Sequence, residues 1–128
     1  MVVLDTSVII AHLRQARAKE TVLMKIAGKV TKENLAISLV TIQELYEGRS
    51  TRSKEKEKSL LATITPLKIL PYTWEVAQLA GEIARDLHRS IEFADAAIAA
   101  TAIINGSPLL TLNKKHFLGI KDLELAEV

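Results

Sequence analysis

The sequence predicts an α/β fold in which a mainly parallel central sheet of four to five strands carries helices on both faces. Three observations predict it. The segments VVL, LAISLV, PLKILP and LLTL are continuously apolar rather than alternating, as strands covered on both faces are. Between them, apolar residues recur at helical spacing. A length of 128 residues with 48% apolar side chains suffices for one core and is short for two, so residues 1–128 read as a single domain.

Each element follows in order. VVL is a β-branched run ending at Asp5, and Val8, Ile9 and Leu13 then mark a first helix. A second helix is expected over about Lys19 to Lys29, with Val22, Leu23 and Ile26 on one face. LAISLV is the second strand, and Thr41 after it serves as a helix cap, matching the capping box T-x-x-E with Glu44 in the first turn. From Arg49 to Lys58 the polar run RSTRSKEKEK reads as a solvated turn before Leu60, Leu61 and Ile64 resume a helical face. PLKILP is the third strand, and Val76, Leu79, Ala80, Ile83 and Leu87 form a strongly amphipathic helix. The next helix is expected to begin near Ile91 and run through EFADAAIAATAII to the stop signal Asn105-Gly106. It is apolar nearly all round and belongs at the centre of the fold. Pro108 opens LLTL, the turn NKKHF follows, and LELAEV is a last strand candidate.

Composition removes several functions. The absence of cysteine excludes disulfides, thiolate catalysis and cysteine-ligated metals, and fits a reducing cytoplasm. Aromatics are 4%, and Tyr46, Tyr72, Trp74, Phe93 and Phe117 are scattered, so a sheet of base-stacking rings is not expected. No segment has the length of a membrane span, and Asp5 interrupts the opening apolar run, so neither a membrane anchor nor a signal peptide is expected. The net charge of +2 confines any polyanion-binding surface to local cations. The glycines form neither a P-loop nor G-x-G-x-x-G, His12, His88 and His116 share no ligand spacing, and Ser7 lacks a nucleophile elbow.

Open parallel sheets bind ligands beyond the carboxyl ends of their strands. Asp5 follows the first strand, Glu44 lies in the helix after the second, Asn113 follows the fourth, and Asp95 sits in the apolar helix before it. Asp5 and Glu44 have local readings as caps, but Asp95 has no neighbouring cation in ADAAIAATAII, and a buried unpaired carboxylate is costly. Three carboxylates meeting at one sheet end call for a divalent cation, and an all-oxygen set selects Mg²⁺ or Mn²⁺. Such sites activate water for in-line attack on phosphodiesters. Glu92, three residues before Asp95, reads mainly as a first-turn surface acid.

The segments DTSVII, SLVTIQELYEG and FADAAIAATAIINGSPLLTLNKKHF, in that order and spacing, resemble the PIN-domain family of small Mg²⁺-dependent ribonucleases, and within it the VapC-like toxins. The resemblance spans essentially the whole chain. It implies a PIN-like three-layer α/β/α fold, Mg²⁺ or Mn²⁺ held by Asp5, Glu44 and Asp95, and a fourth site position at Asn113, where many members carry Asp. Thr6, Ser7 and Thr111 would support these residues. It further implies RNA hydrolysis leaving 5′-phosphate and 3′-hydroxyl ends, a homodimer, and a small antitoxin partner. Arg14, Arg49, Arg52, Lys114, Lys115 and His116 are the candidates for substrate contact. A PIN-like module that binds RNA or protein with little or no catalysis is the alternative, favoured by Asn113. A receiver-like signalling domain is disfavoured because LKILPYTWEV offers no Asp just after the third strand.

Overall fold

The computed structural model describes residues 1–15 and 20–128. Its sheet comprises β1 (Val2–Leu4), β2 (Leu35–Ser38), β3 (Lys68–Leu70) and β4 (Leu109–Leu110), all parallel, in the order β3-β2-β1-β4. Val3 of β1 pairs with Ala36 on one side and Leu109 on the other. The helices are α1 (Thr6–Gln15), α2 (Val22–Ala27), α3 (Leu39–Glu47), α4 (Lys54–Ile64), α5 (Trp74–Asp86) and α6 (Phe93–Ile104).

The period-two geometry of strands divides the core into two layers. Val2, Leu4, Leu35 and Ile37 point to one face, where they meet Val8 and Ile9 of α1, Leu23 and Ile26 of α2, and Leu60 and Ile64 of α4. Val3, Ala36 and Leu109 point to the other, against Ile98, Ala99 and Ala102 of α6. The small side chains of Ala36 and α6 let helix and sheet approach closely. On its far side α6 packs Ala96 and Ala100 against Val76 and Ala80 of α5. Covered by sheet and helix, α6 is buried from Ala96 to Ala102, which is why its sequence is apolar nearly all round. Truncating fully buried Ile98 to Ala would cost roughly 2–5 kcal/mol. Gly106 takes φ +60° just past the end of α6, a conformation that favours glycine.

Local boundaries differ from the sequence expectation in several places. α2 begins at Val22 with Thr21 as its cap, and Lys19, where the helix was expected to begin, lies outside the described residues. β2 stops at Ser38, whose hydroxyl accepts from Val40 N–H at 3.1 Å and caps α3, so Leu39 and Val40 are helical and Thr41 lies inside the helix, fully buried. The capping box is therefore not formed. The run Lys54–Lys58 is the start of α4, capped by Ser53, rather than part of a turn. α6 starts at Phe93, two residues later than expected, because Glu92 is still extended. LELAEV contributes one parallel bridge, Leu109 to Leu125, so the sheet has four strands.

From β1 the chain proceeds outward to β2 and β3, then crosses to β4 on the opposite side of β1. This reversal of strand order opens a crevice at the carboxyl ends of β1 and β4.

Candidate active site

Asp5 is the first residue past β1, and its backbone N–H donates to Leu110 O at 2.9 Å, tying it to the end of β4. It is only 4% exposed. Two hydroxyls donate to the same carboxylate oxygen, Ser7 Oγ at 2.7 Å and Thr111 Oγ1 at 2.8 Å to Oδ2. Those hydroxyl oxygens in turn accept Leu112 N–H at 3.2 Å and Asn113 N–H at 2.9 Å. The end of β4 is thus latched to Asp5 through two side chains. Among the described residues Oδ1 accepts no hydrogen bond, and no buried side-chain polar atom lacks a partner, so Oδ1 opens to the cleft. The Asp5 side chain binds hydroxyls instead of capping backbone N–H groups of α1.

Glu44 lies in the second turn of α3, not the first. Thr6 Oγ1 is 2.6 Å from Glu44 Oε1 and 2.9 Å from Thr41 Oγ1. A hydroxyl has one hydrogen. When Glu44 is ionised that hydrogen goes to the carboxylate, and Thr41 donates the other bond. Burial raises the pKa of Glu44; the Thr6 hydrogen bond opposes this, while the charges of Asp5 and Glu47 add to it.

Asp95 occupies the first turn of α6, where the helix dipole favours a carboxylate. Its side chain is 14% exposed and its Oδ2 lies 3.2 Å from His116 Nδ1. Burial is the main cause that pushes its pKa up to about 6, with Asp5, Glu44 and Glu92 adding repulsion and His116 opposing them. The side chain that meets Asp95 is therefore a histidine from the turn after β4. Arg89 fixes that turn, donating from Nη2 to His116 O at 2.9 Å and Leu118 O at 2.7 Å.

These groups share a cleft of about 500 Å³, lined by Asp5, Thr6, Ser7, Glu44, Asp95, Asn113 and His116 together with Gln43, Glu47, Glu92 and Phe93. Thr111 sits behind it as a donor to Asp5. Among the described residues neither lysine nor arginine lines this cleft. Arg14 and Arg49 line an adjoining hollow of about 330 Å³ that shares Ile10 and Glu44 with it. Lys114 and Lys115 flank the other side, where Lys114 Nζ is 2.9 Å from Glu127. Arg52 is exposed and lines neither hollow. His12 accepts or donates at 2.8 Å to Thr21 Oγ1, burial lowers its pKa, and His88 is exposed, so both lie outside the site. Sequence reasoning did not place Gln43, Glu47, Phe93 or Arg89 in or behind the site; the i, i+3 spacing of Glu44 and Glu47 on one helix was the available signal for Glu47.

The donor set suits a hard divalent cation: carboxylate oxygens from Asp5, Glu44 and Asp95, two of them with pKa values raised chiefly by burial and further by one another's charge. Among the described residues no three acidic or histidine side chains are already drawn into a ligand cage. The donors form an open set.

Comparison with known proteins bears on this geometry. The PIN domain family matches residues 2–122. The chain is 36% identical over 121 residues to ribonuclease VapC10 of Mycobacterium tuberculosis, covering 91% of this chain and 86% of that protein. It is 32% identical over 127 residues to ribonuclease VapC19 of the same organism, covering 97% and 98%. VapBC2 from Rickettsia felis, solved bound to a DNA fragment from its promoter, is similar with TM-score 0.79 and 26% identity over 98% of each chain. The DNA-bound VapBC from Salmonella typhimurium gives TM-score 0.84 at 22% identity, covering 98% and 96%, a likeness of fold. Together with the four-stranded parallel sheet and the acidic switch-point cleft, these matches establish that the chain belongs to the PIN-domain family, in its VapC branch.

Proposed function

We propose that this chain is a metal-dependent endoribonuclease and the toxin of a toxin–antitoxin pair. The observation that carries the reading is the convergence of Asp5, Glu44 and Asp95, from three separate elements, on one cleft at the switch point of the sheet. The names of relatives as VapC ribonucleases, and of structural neighbours as VapBC complexes, support the same activity and a small antitoxin partner. In this reading residues 1–128 act as one domain, in the cytoplasm and as a homodimer. Among the described residues no helix is long and apolar enough to cross a membrane.

Asp5, Asp95 and Glu44 would hold Mg²⁺ or Mn²⁺, which supplies an acidified water and neutralises charge developing on the phosphate. The chain's own groups do the positioning. Ser7 and Thr111 fix Asp5 from one side, leaving Oδ1 toward the cleft, and Thr6 fixes Glu44. Asn113, lining the cleft, can orient the attacking water through its amide without adding charge. Water attacks phosphorus, the bond to the 3′ oxygen breaks, and that oxygen takes a proton, leaving 5′-phosphate and 3′-hydroxyl ends. Arg14 and Arg49 on one side, with Lys114, Lys115 and His116 on the other, suit an RNA backbone laid across the acidic centre. Arg52 would act farther out.

A second reading, a weakly active or inactive RNA- or protein-binding module, draws on Asn113 and on the His116 contact that occupies Asp95. Incubating the purified chain with a panel of structured RNAs, with Mg²⁺ or Mn²⁺ and with chelator, separates the two. The nuclease reading expects metal-dependent products with 5′-phosphates that Asp95→Asn abolishes. Full activity in folded Asp95→Asn, or affinity for RNA without products, would contradict it.

A further inference from the structure

Phe93 is the first residue of α6 and is 74% exposed, while the seven residues Ala96 to Ala102 of the same helix are buried. It belongs to neither of the core layers nor to the α5–α6 packing. Phe93 is instead one of the residues that line the acidic cleft, with Glu92 and Asp95. Among the described residues the imidazole of His116 is the one other ring-bearing side chain in that lining. Phe117 is buried, and Tyr46 and Trp74 are exposed elsewhere.

We infer that Phe93 stacks on the base of the nucleotide adjoining the scissile phosphate and so sets which nucleotide enters the site. The inference rests on the nuclease reading and adds the residue that selects its substrate. Phe93 and Asp95 stand two positions apart in the first turn of α6 and both line the cleft, so a nucleotide whose phosphate sits among the carboxylates has its base within reach of the exposed ring. A hydrolysed phosphate held among carboxylates brings one flat apolar surface with it, the base, and the cleft offers one exposed phenyl ring to receive it. The ring stands on the first turn of a helix whose body is packed between sheet and α5, so little conformational freedom is lost when a base settles on it. A base stacked on a side chain has left its neighbours in the strand, so the substrate position is an unpaired nucleotide in a loop or single strand rather than one inside a duplex.

The test measures KM and kcat for Phe93→Ala, Phe93→Leu and Phe93→Trp on an RNA the wild type cuts, and on the same RNA with the adjoining nucleotide made abasic. Fluorescence anisotropy with a short single-stranded RNA gives Kd for each chain in parallel. Loss of base stacking predicts a KM increase of about 10-fold for Phe93→Ala, within a range of roughly 5- to 100-fold. Phe93→Leu should lose nearly as much, Phe93→Trp should restore binding, and the abasic RNA should cost the wild type about what the alanine change costs and cost Phe93→Ala little more. Equal KM and Kd for all four chains on the intact RNA, or an abasic penalty that Phe93→Ala leaves undiminished, would overturn the inference while the nuclease reading stood. Ring-dependent Kd without cleavage by the wild type would keep Phe93 as a base contact and overturn the nuclease reading instead. A ring that matters only for binding a protein partner would leave KM and Kd for RNA unchanged, and so count against it.

Discussion

Asp5 and Asp95 face the same cleft and are held in opposite ways. Asp5 is buried at the end of a central strand and receives two hydroxyl hydrogen bonds on one oxygen, each hydroxyl fixed in turn by a backbone N–H of the β4 end. Asp95 is also mostly buried, yet its side-chain partner is the exposed His116 at 3.2 Å, and burial with neighbouring acids pushes its pKa to about 6. One carboxylate is built into the scaffold; the other is kept in a position its charge disfavours. The difference teaches that burial and neighbouring acids disfavour the charged carboxylate on the α6 side of the cleft, the side where a bound cation would favour it.

The largest expected effects separate the two residues by stability while uniting them in activity. Asp5→Asn and Asp95→Asn should each lower metal-dependent cleavage by at least about 1000-fold, the size of effect expected when a ligand of an essential ion is removed. In metal-free buffer at pH 7, thermal unfolding should show Asp95→Asn more stable than wild type by on the order of 1 kcal/mol, after allowing for solvent screening. Asp5→Asn should be less stable by about 1 kcal/mol, because charge-assisted hydrogen bonds are replaced by neutral ones. Both mutants shifting in the same direction would break the comparison.

Next in size is the latch on Asp5. Thr111→Val removes one hydroxyl donor and the acceptor for Asn113 N–H, and should cost roughly 1–3 kcal/mol in urea unfolding, with cleavage reduced more than about 10-fold. A smaller effect is the pH dependence of the metal-free protein. Asp95 binds its proton more tightly folded than unfolded, so between about pH 4 and pH 6 the folded state carries more protons and stability falls as pH rises. Glu44 acts in the same direction. Urea midpoints compared between wild type and Asp95→Asn should converge toward the acid end of that window and separate above pH 6. A constant separation from pH 4 to pH 7 would remove Asp95 as the disfavoured charge. Smallest is Ser53→Ala, which removes the α4 cap remote from the cleft and should cost about 0.5–2 kcal/mol with cleavage unchanged.

Much of this was legible in the sequence because it depends on pattern. Continuously apolar strands announced a sheet covered on both faces, and a helix apolar nearly all round announced a central element, whose buried body is Ala96–Ala102 with Asp95 at its first turn beside the cleft. That Asp5, Glu44 and Asp95 could meet was readable from their places just after strands and in the helices between them; that they share one cleft is a feature of the fold. What was not legible depends on which local option tertiary structure selects. Thr41 and Glu44 satisfy the capping-box spacing, but Ser38 ends the strand three residues earlier and takes the cap, which sends the Thr41 hydroxyl inward to Thr6. The helix start at Phe93 was hidden because Ile91 and Glu92 suit a helix as well as the extended segment they form. His116 as the partner of Asp95 and Arg89 as the clamp of its turn are long-range contacts that no local window contains.

The central claim is that Asp5 and Asp95 are two ends of one cation site. Thermal unfolding of wild type, Asp5→Asn and Asp95→Asn at pH 7.5, each titrated with Mn²⁺, tests it most directly, since an ion that binds only the folded state raises its melting temperature with concentration. The account predicts a rise in the wild type that either substitution removes, with Asp95→Asn starting from the higher metal-free value. An undiminished rise in either mutant, or none in the wild type, would contradict it.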